Sequence, residues 1–131
     1  MGRSARARRA STIAGRIALL LGASGVLHMV RPGTFVRIVP RGLPARTTTY
    51  ASGVAELAIA AGLLVPRTRR RAGLAAAALF LAVFPANVKM ARDLLDNPRS
   101  PRPLRIVALL RLPLQLPLLA WALRIARHAR P

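Results

Sequence analysis

Charge is nearly absent from long stretches of this chain. Residues 17–30 and 72–88 carry no Asp, Glu, Lys or Arg, and residues 47–65 carry only Glu56. A fourth apolar stretch, 104–123, is interrupted by Arg105 and Arg111 alone. A bilayer core about 30 Å thick needs about 20 mostly apolar residues per crossing helix. Each stretch is near that length, and basic residues crowd the boundaries between them. The pattern predicts an all-α integral membrane protein, a four-helix transmembrane bundle.

The balance of 22 basic to 3 acidic residues invites a rival reading, nucleic-acid binding. That reading needs basic residues along one face of an element, often with interleaved aromatics. Aromatics here are only 4%, and the arginines sit at segment ends, so the charge reads as membrane punctuation. The chain has no Cys. It therefore cannot perform its own thiol–disulfide exchange, hold an iron–sulfur cluster by thiolates or attach a c-type haem. A basic segment precedes the first apolar run, as in a signal peptide, but no small-x-small cleavage site follows. An uncleaved first span is expected.

The segmentation follows. Residues 1–10 form a basic N-terminal tail. Residues 11–125 form one domain, with spans at about 11–30, 47–65, 72–91 and 104–125. Residues 126–131 form a basic C-terminal tail. Ala14, Ala18 and Gly22 recur every four residues on span one, a spacing that allows close helix approach in lipid. Between the first two spans, Pro32 suits a first helical turn, and Phe35, Ile38 and Val39 share one side. Residues 32–39 are expected to form a short amphipathic helix at the bilayer interface, ended by Pro40 and Pro44. Pro66 with Arg67, Arg69, Arg70 and Arg71 reads as a tight basic turn, and residues 92–103 as a polar loop in which Asp93 and Asp96 face water.

Four spans put both termini on one side. That side carries eleven arginines, in the tails and the 67–71 turn, against eight on the other. The positive-inside rule then places both termini in the cytoplasm.

Ionisable residues within a span cost at least about 2.5 kcal/mol on insertion scales and usually have a partner or a task. Two lie deep, Glu56 and Arg111. Counted from the same membrane side, their depths differ by about one helical turn. An ion pair between spans two and four is expected. Gln115 shares a face with Arg111, and Asn87 and His28 lie in the same membrane half. A polar intramembrane pocket of His28, Glu56, Asn87, Arg111 and Gln115 is thereby predicted. Pro85, Pro113 and Pro117 interrupt spans three and four as expected kinks. Pro85 leaves the Leu81 carbonyl without its helical donor, and Asn87, Arg111 or water could supply one. A purely structural role for the same residues stands equally open. No catalytic triad, metal-ligand cluster or phosphate-binding glycine loop is present.

The segments GVLHMVRPGTFVRIVPRGLP (25–44), SGVAELAIAAGLLVPRTRRRAG (52–73), VFPANVKMA (83–91) and RLPLQLPLLAWAL (111–123) are similar to the DoxX family of small bacterial membrane proteins. The combination of motifs in this order, over all four spans, carries the resemblance. It implies a four-helix membrane bundle with His28, Glu56, Asn87, Arg111 and Gln115 at the family's polar motif positions. It also implies a setting. The family takes its name from a subunit associated with thiosulfate:quinone oxidoreduction, and relatives are linked to oxidative-stress systems. With no Cys and no cofactor motif, the chain is not expected to be an enzyme on its own. The expected role is a non-catalytic membrane subunit or anchor of a redox system, with a quinone as its ligand and a membrane redox enzyme as partner. Two alternatives remain: a small proton-coupled transporter using Glu56, and a structural or assembly protein binding partner spans or a second copy through small-residue faces.

Overall fold

The computed structural model describes residues 2–130, and within them the chain is helical without strands. Helix α1 spans Arg3–Val30, α2 Pro32–Val36, α3 Ala45–Leu64, α4 Pro66–Asp96 and α5 Arg102–His128. α1 packs chiefly on α3 and α4 chiefly on α5, while α3–α4 and α1–α5 contacts close the ring. Three helices, α1, α4 and α5, are long and apolar enough to cross a membrane. At 1.5 Å per residue they measure about 40–46 Å, more than a bilayer core. α3 is long enough but is not among the three. Its Thr-rich first turns, Ser52 and Glu56 lower its apolarity.

Several boundaries differ from the expectation. Helix α1 begins at Arg3 and absorbs most of the expected N-terminal tail. Ala and Arg are strong helix formers, and no Pro interrupts them before Pro32. The expected 67–71 turn is helical too. The reversal is confined to Val65, and Pro66 occupies the first turn of α4. The arginine run then does local work. Arg69 donates from Nε to the Leu63 carbonyl at 2.8 Å and from Nη2 to that of Leu64 at 3.2 Å. Thr68 Oγ1 donates to the Gly62 carbonyl at 2.8 Å. The last carbonyls of α3, which no helical N–H reaches, are satisfied this way. At the other end α4 runs on to Asp96, so the expected 92–103 loop shrinks, because no further helix breaker occurs between Pro85 and Pro98. The C-terminal tail is helical as far as His128. Pro85, Pro113 and Pro117 all lie inside continuous helices.

The core occupies the half of the bundle near the termini. Ala14, Ile17, Ala18, Leu21, Ala60, Leu63, Ala76, Ala77, Phe80, Ala122 and Ile125 pack there. So many alanines bring the helix axes close, as Gly73 shows. A Cβ placed on it would stand 2.9 Å from the Ala126 nitrogen and 3.0 Å from the Ala122 carbonyl. Large apolar residues face outward instead, among them Leu19 at 76% exposure and Leu116 at 71%. An apolar exterior on this scale is consistent with contact to lipid.

Gly73→Val is expected to destabilise the fold by about 1–3 kcal/mol through overpacking against α5 backbone. Gly15→Val, with nothing within 4 Å of the added Cβ, should have little effect. Thermal unfolding of both variants in detergent micelles, followed by circular dichroism, measures the contrast. Equal melting temperatures would refute the close contact.

Candidate intramembrane polar site

The site begins with a helix approach that only glycine permits. A Cβ on Gly25 would lie 2.8 Å from Leu57 Cγ and 3.0 Å from the Gly53 carbonyl. One on Gly53 would lie 2.8 Å from His28 Cβ. α1 and α3 touch backbone to backbone here. His28 and Glu56 flank this crossing, three residues beyond it on each antiparallel helix, and their side chains meet across it. Both are buried, at 8% and 6% exposure.

Glu56 accepts a hydrogen bond at Oε1 from Ser24 Oγ, 3.1 Å away. Its Oε2 lies 3.0 Å from His28 Nδ1. That nitrogen also lies 2.8 Å from the Ser24 carbonyl. A carbonyl can only accept, so Nδ1 carries the hydrogen. The hydrogen belongs to the shorter contact, because Oε2, though buried, receives no hydrogen bond of adequate geometry. The Glu56–His28 contact is thus close but undirected, and one carboxyl oxygen is left without a donor. Phe35 of α2 stacks on the other side of the arrangement, its ring centroid 3.6 Å from that of His28 at 17°. Lys89 Nζ donates to the Arg37 carbonyl at 2.7 Å and to Asp93 Oδ2 at 2.6 Å, tying the end of α2 to α4. Asp93, expected simply to face water, is therefore half exposed and paired.

A second polar pair faces the first across the bundle. Asn87 Nδ2 donates to Gln115 Oε1 at 3.3 Å, and Gln115 Nε2 donates to the Phe80 carbonyl. The carbonyl that gains a side-chain donor is thus Phe80's, one residue before the expected Leu81, and Gln115 is its donor.

Two adjoining cavities lie between these pairs. One, of about 300 Å3, is bounded by Ser24, Glu56, Phe80, Asn87, Arg111 and Gln115 among mostly apolar neighbours. The other, of about 470 Å3, is bounded by His28, Phe35, Ser52, Glu56, Asn87 and Arg111, with Ile38 and Val39. Ser24, Glu56, Asn87 and Arg111 border both.

The expected Glu56–Arg111 ion pair is absent among the described residues. Arg111 is exposed at the cavity rim, and its Nη1 lies 3.7 Å from Met90 Sδ on α4. Glu56 turns to α1, where Ser24 and His28 are already within reach. Ser24 and Phe35 are the contributors that sequence reasoning did not assign to the site. The four-residue spacing from Ser24 to His28 marks one helix face and could have found the first. Phe35 was read as facing lipid.

Among the described residues, the helices carry an apolar exterior that suggests a membrane protein and enclose a polar-lined cavity. The chain belongs to the family described as Domain of unknown function (DUF8561), whose family model matches residues 17–126. All five expected site residues fall within that match. No curated protein and no solved structure matches the chain.

Gln115→Leu is expected to cost about 1–3 kcal/mol, because it strips Asn87 Nδ2 of its acceptor and the Phe80 carbonyl of its side-chain donor. Unfolding in mixed micelles against a denaturing detergent measures this. An unshifted midpoint would show that the pair contributes nothing.

Proposed function

We propose that this chain is a four-span, DoxX-like protein of the bacterial inner membrane, a non-catalytic subunit or anchor of a quinone-linked redox or oxidative-stress system. In this reading the paired cavities receive a quinone headgroup. The observation that carries the proposal is Glu56 Oε2, a buried carboxyl oxygen without a donor, on a residue bordering both cavities. A buried acceptor left unpaired costs about 1–3 kcal/mol. A ligand hydroxyl, as on a quinol, would relieve that cost. Asn87 and Arg111 on the opposite wall could donate to the quinol's second oxygen. The remaining lining is largely apolar, as a ring and prenyl tail require.

α3 is the fourth span on this reading, despite its polar residues, because the deeper ones are turned inward. Thr49 Oγ1 donates back to the Ala45 carbonyl at 2.8 Å, and Glu56 is held by Ser24. From residue 51 onward the exposed side chains of α3 are Ala51, Val54, Ala58, Ala61 and Leu64, one apolar stripe suited to lipid. α2 lies at the bilayer interface, and both termini are cytoplasmic, on the arginine asymmetry. A proton-coupled transporter is favoured less. Its path would have to continue through the alanine-packed core around Ile17, Leu63 and Ile125, whose side chains are fully buried.

Gentle solubilisation from the native membrane, with mass spectrometry of bound proteins, lipids and quinones, tests the proposal. Quinone is expected to co-purify with the native chain, together with a redox enzyme. Under reducing conditions, Glu56→Gln and Arg111→Ala should each retain about tenfold less of the reduced quinol, the worth of one hydrogen bond to a charged group. Undiminished quinol in folded variants would defeat the headgroup assignment. A lone protein or homo-oligomer without quinone would shift the weight to transport or to a structural role.

A further inference from the structure

The end of the bundle away from the polar cavities holds a second cluster. Arg6 and Arg9 stand three apart on α1, and Arg124 and His128 four apart on α5, so each pair shares one face of its helix. The two helices are in contact, and Ala10, Ile125 and Ala126 are buried at this end. The four basic side chains converge on one pocket of about 180 Å3.

No acidic side chain among the described residues answers them. The chain has three acidic side chains. Glu56 is held by Ser24, Asp93 by Lys89, and Asp96 ends α4 at the opposite end. Arg3, Arg8, Arg67, Arg70, Arg71, Arg127 and Arg130 belong to this same end of the chain's helices and add to its charge. The first turn of α1 has no acidic residue and no side-chain cap, so its free amides and the positive end of its dipole reinforce the field. Like charges gathered across two packed helices repel one another. A counter-anion from outside removes that cost and ties α1 to α5.

The chemistry of the pocket narrows the anion. Three guanidinium groups present paired N–H donors that match phosphate oxygens two at a time. The pocket, of about 180 Å3, has room for a phosphate-sized group. The pocket lies between two helices long and apolar enough to cross a membrane, near their ends, where basic pockets meet lipid headgroups. We propose that Arg6, Arg9, Arg124 and His128 form a binding site for the phosphodiester headgroup of an anionic phospholipid. The site rests on the chain's contact with a bilayer and is independent of what fills the polar cavities.

Native mass spectrometry of the full chain, released from nanodiscs of equal parts phosphatidylglycerol and phosphatidylcholine, tests it. The native chain is expected to retain phosphatidylglycerol in preference to phosphatidylcholine. The double variant Arg6→Gln/Arg124→Gln should retain about thirtyfold less, at about fivefold per arginine near a headgroup. The control Arg99→Gln/Arg102→Gln removes the same charge outside the pocket and should match the native chain. Circular dichroism checks that both variants fold. Should the first not fold, the melting temperature of the native chain decides instead, rising with phosphatidylglycerol and not with phosphatidylcholine. Displacement of the bound lipid by millimolar inorganic phosphate would overturn a lipid as the source of the phosphate. Equal retention of the two lipids, or equal losses in the two double variants, would overturn the site.

Discussion

The approach of α1 to α3 at Gly25 and Gly53 is the constraint on which the polar site depends. Neither helix could come this close with a side chain at either position, since an added carbon would meet Leu57, His28 or backbone at 2.8–3.0 Å. Closeness here does two things. It buries a carboxyl group and an imidazole, and it puts them within reach of one another and of the Ser24 hydroxyl. Isolated in lipid, each of these groups would be costly. Held together, they form a short polar chain with one unmet demand, on Glu56 Oε2.

Much of the helical layout was legible from charge spacing alone. Apolar stretches bounded by arginine gave the long helices, and Pro32 marked the start of α2. The ends of the helices were not legible. Runs such as residues 67–71 and 92–96 look like loops because they are charged, yet Arg, Ala and Leu are good helix formers wherever no Pro intervenes. Charge marks where a helix leaves an apolar environment, not where it stops. The polar residues were equally legible as a group, because ionisable residues are conspicuous in apolar stretches. Their pairing was not. Depth along the helix axis made Glu56 and Arg111 plausible partners. Depth says nothing about rotation around the axis, and the Gly25–Gly53 contact turns Glu56 toward α1 instead. Ser24 escaped notice for a related reason, since a lone hydroxyl in an apolar helix carries no signal until a partner is placed beside it.

The two ends of the bundle differ in kind. One is packed by small side chains and surrounded by arginines without carboxylates. The other is looser, holds the polar pairs, and contains or adjoins all three acidic residues. The dense end can serve as an anchor, leaving the looser end free to adapt to an occupant. The division follows from residue volume. Alanine against alanine leaves no room for a cavity, whereas Phe80, Asn87 and Gln115 around Pro85 and Pro117 leave gaps that the bundle does not fill.

The segment from α2 to Val39 closes one side of the larger cavity. Beside its packing on α1 and α3, its specific ties are two: the stack of Phe35 on His28 and the single ammonium of Lys89 shared between Arg37 and Asp93. Segments held by so few contacts open far more often than the fold as a whole unravels. Opening of this segment is therefore decoupled from the robustness of the bundle: the helices can persist while one aromatic ring lifts from another.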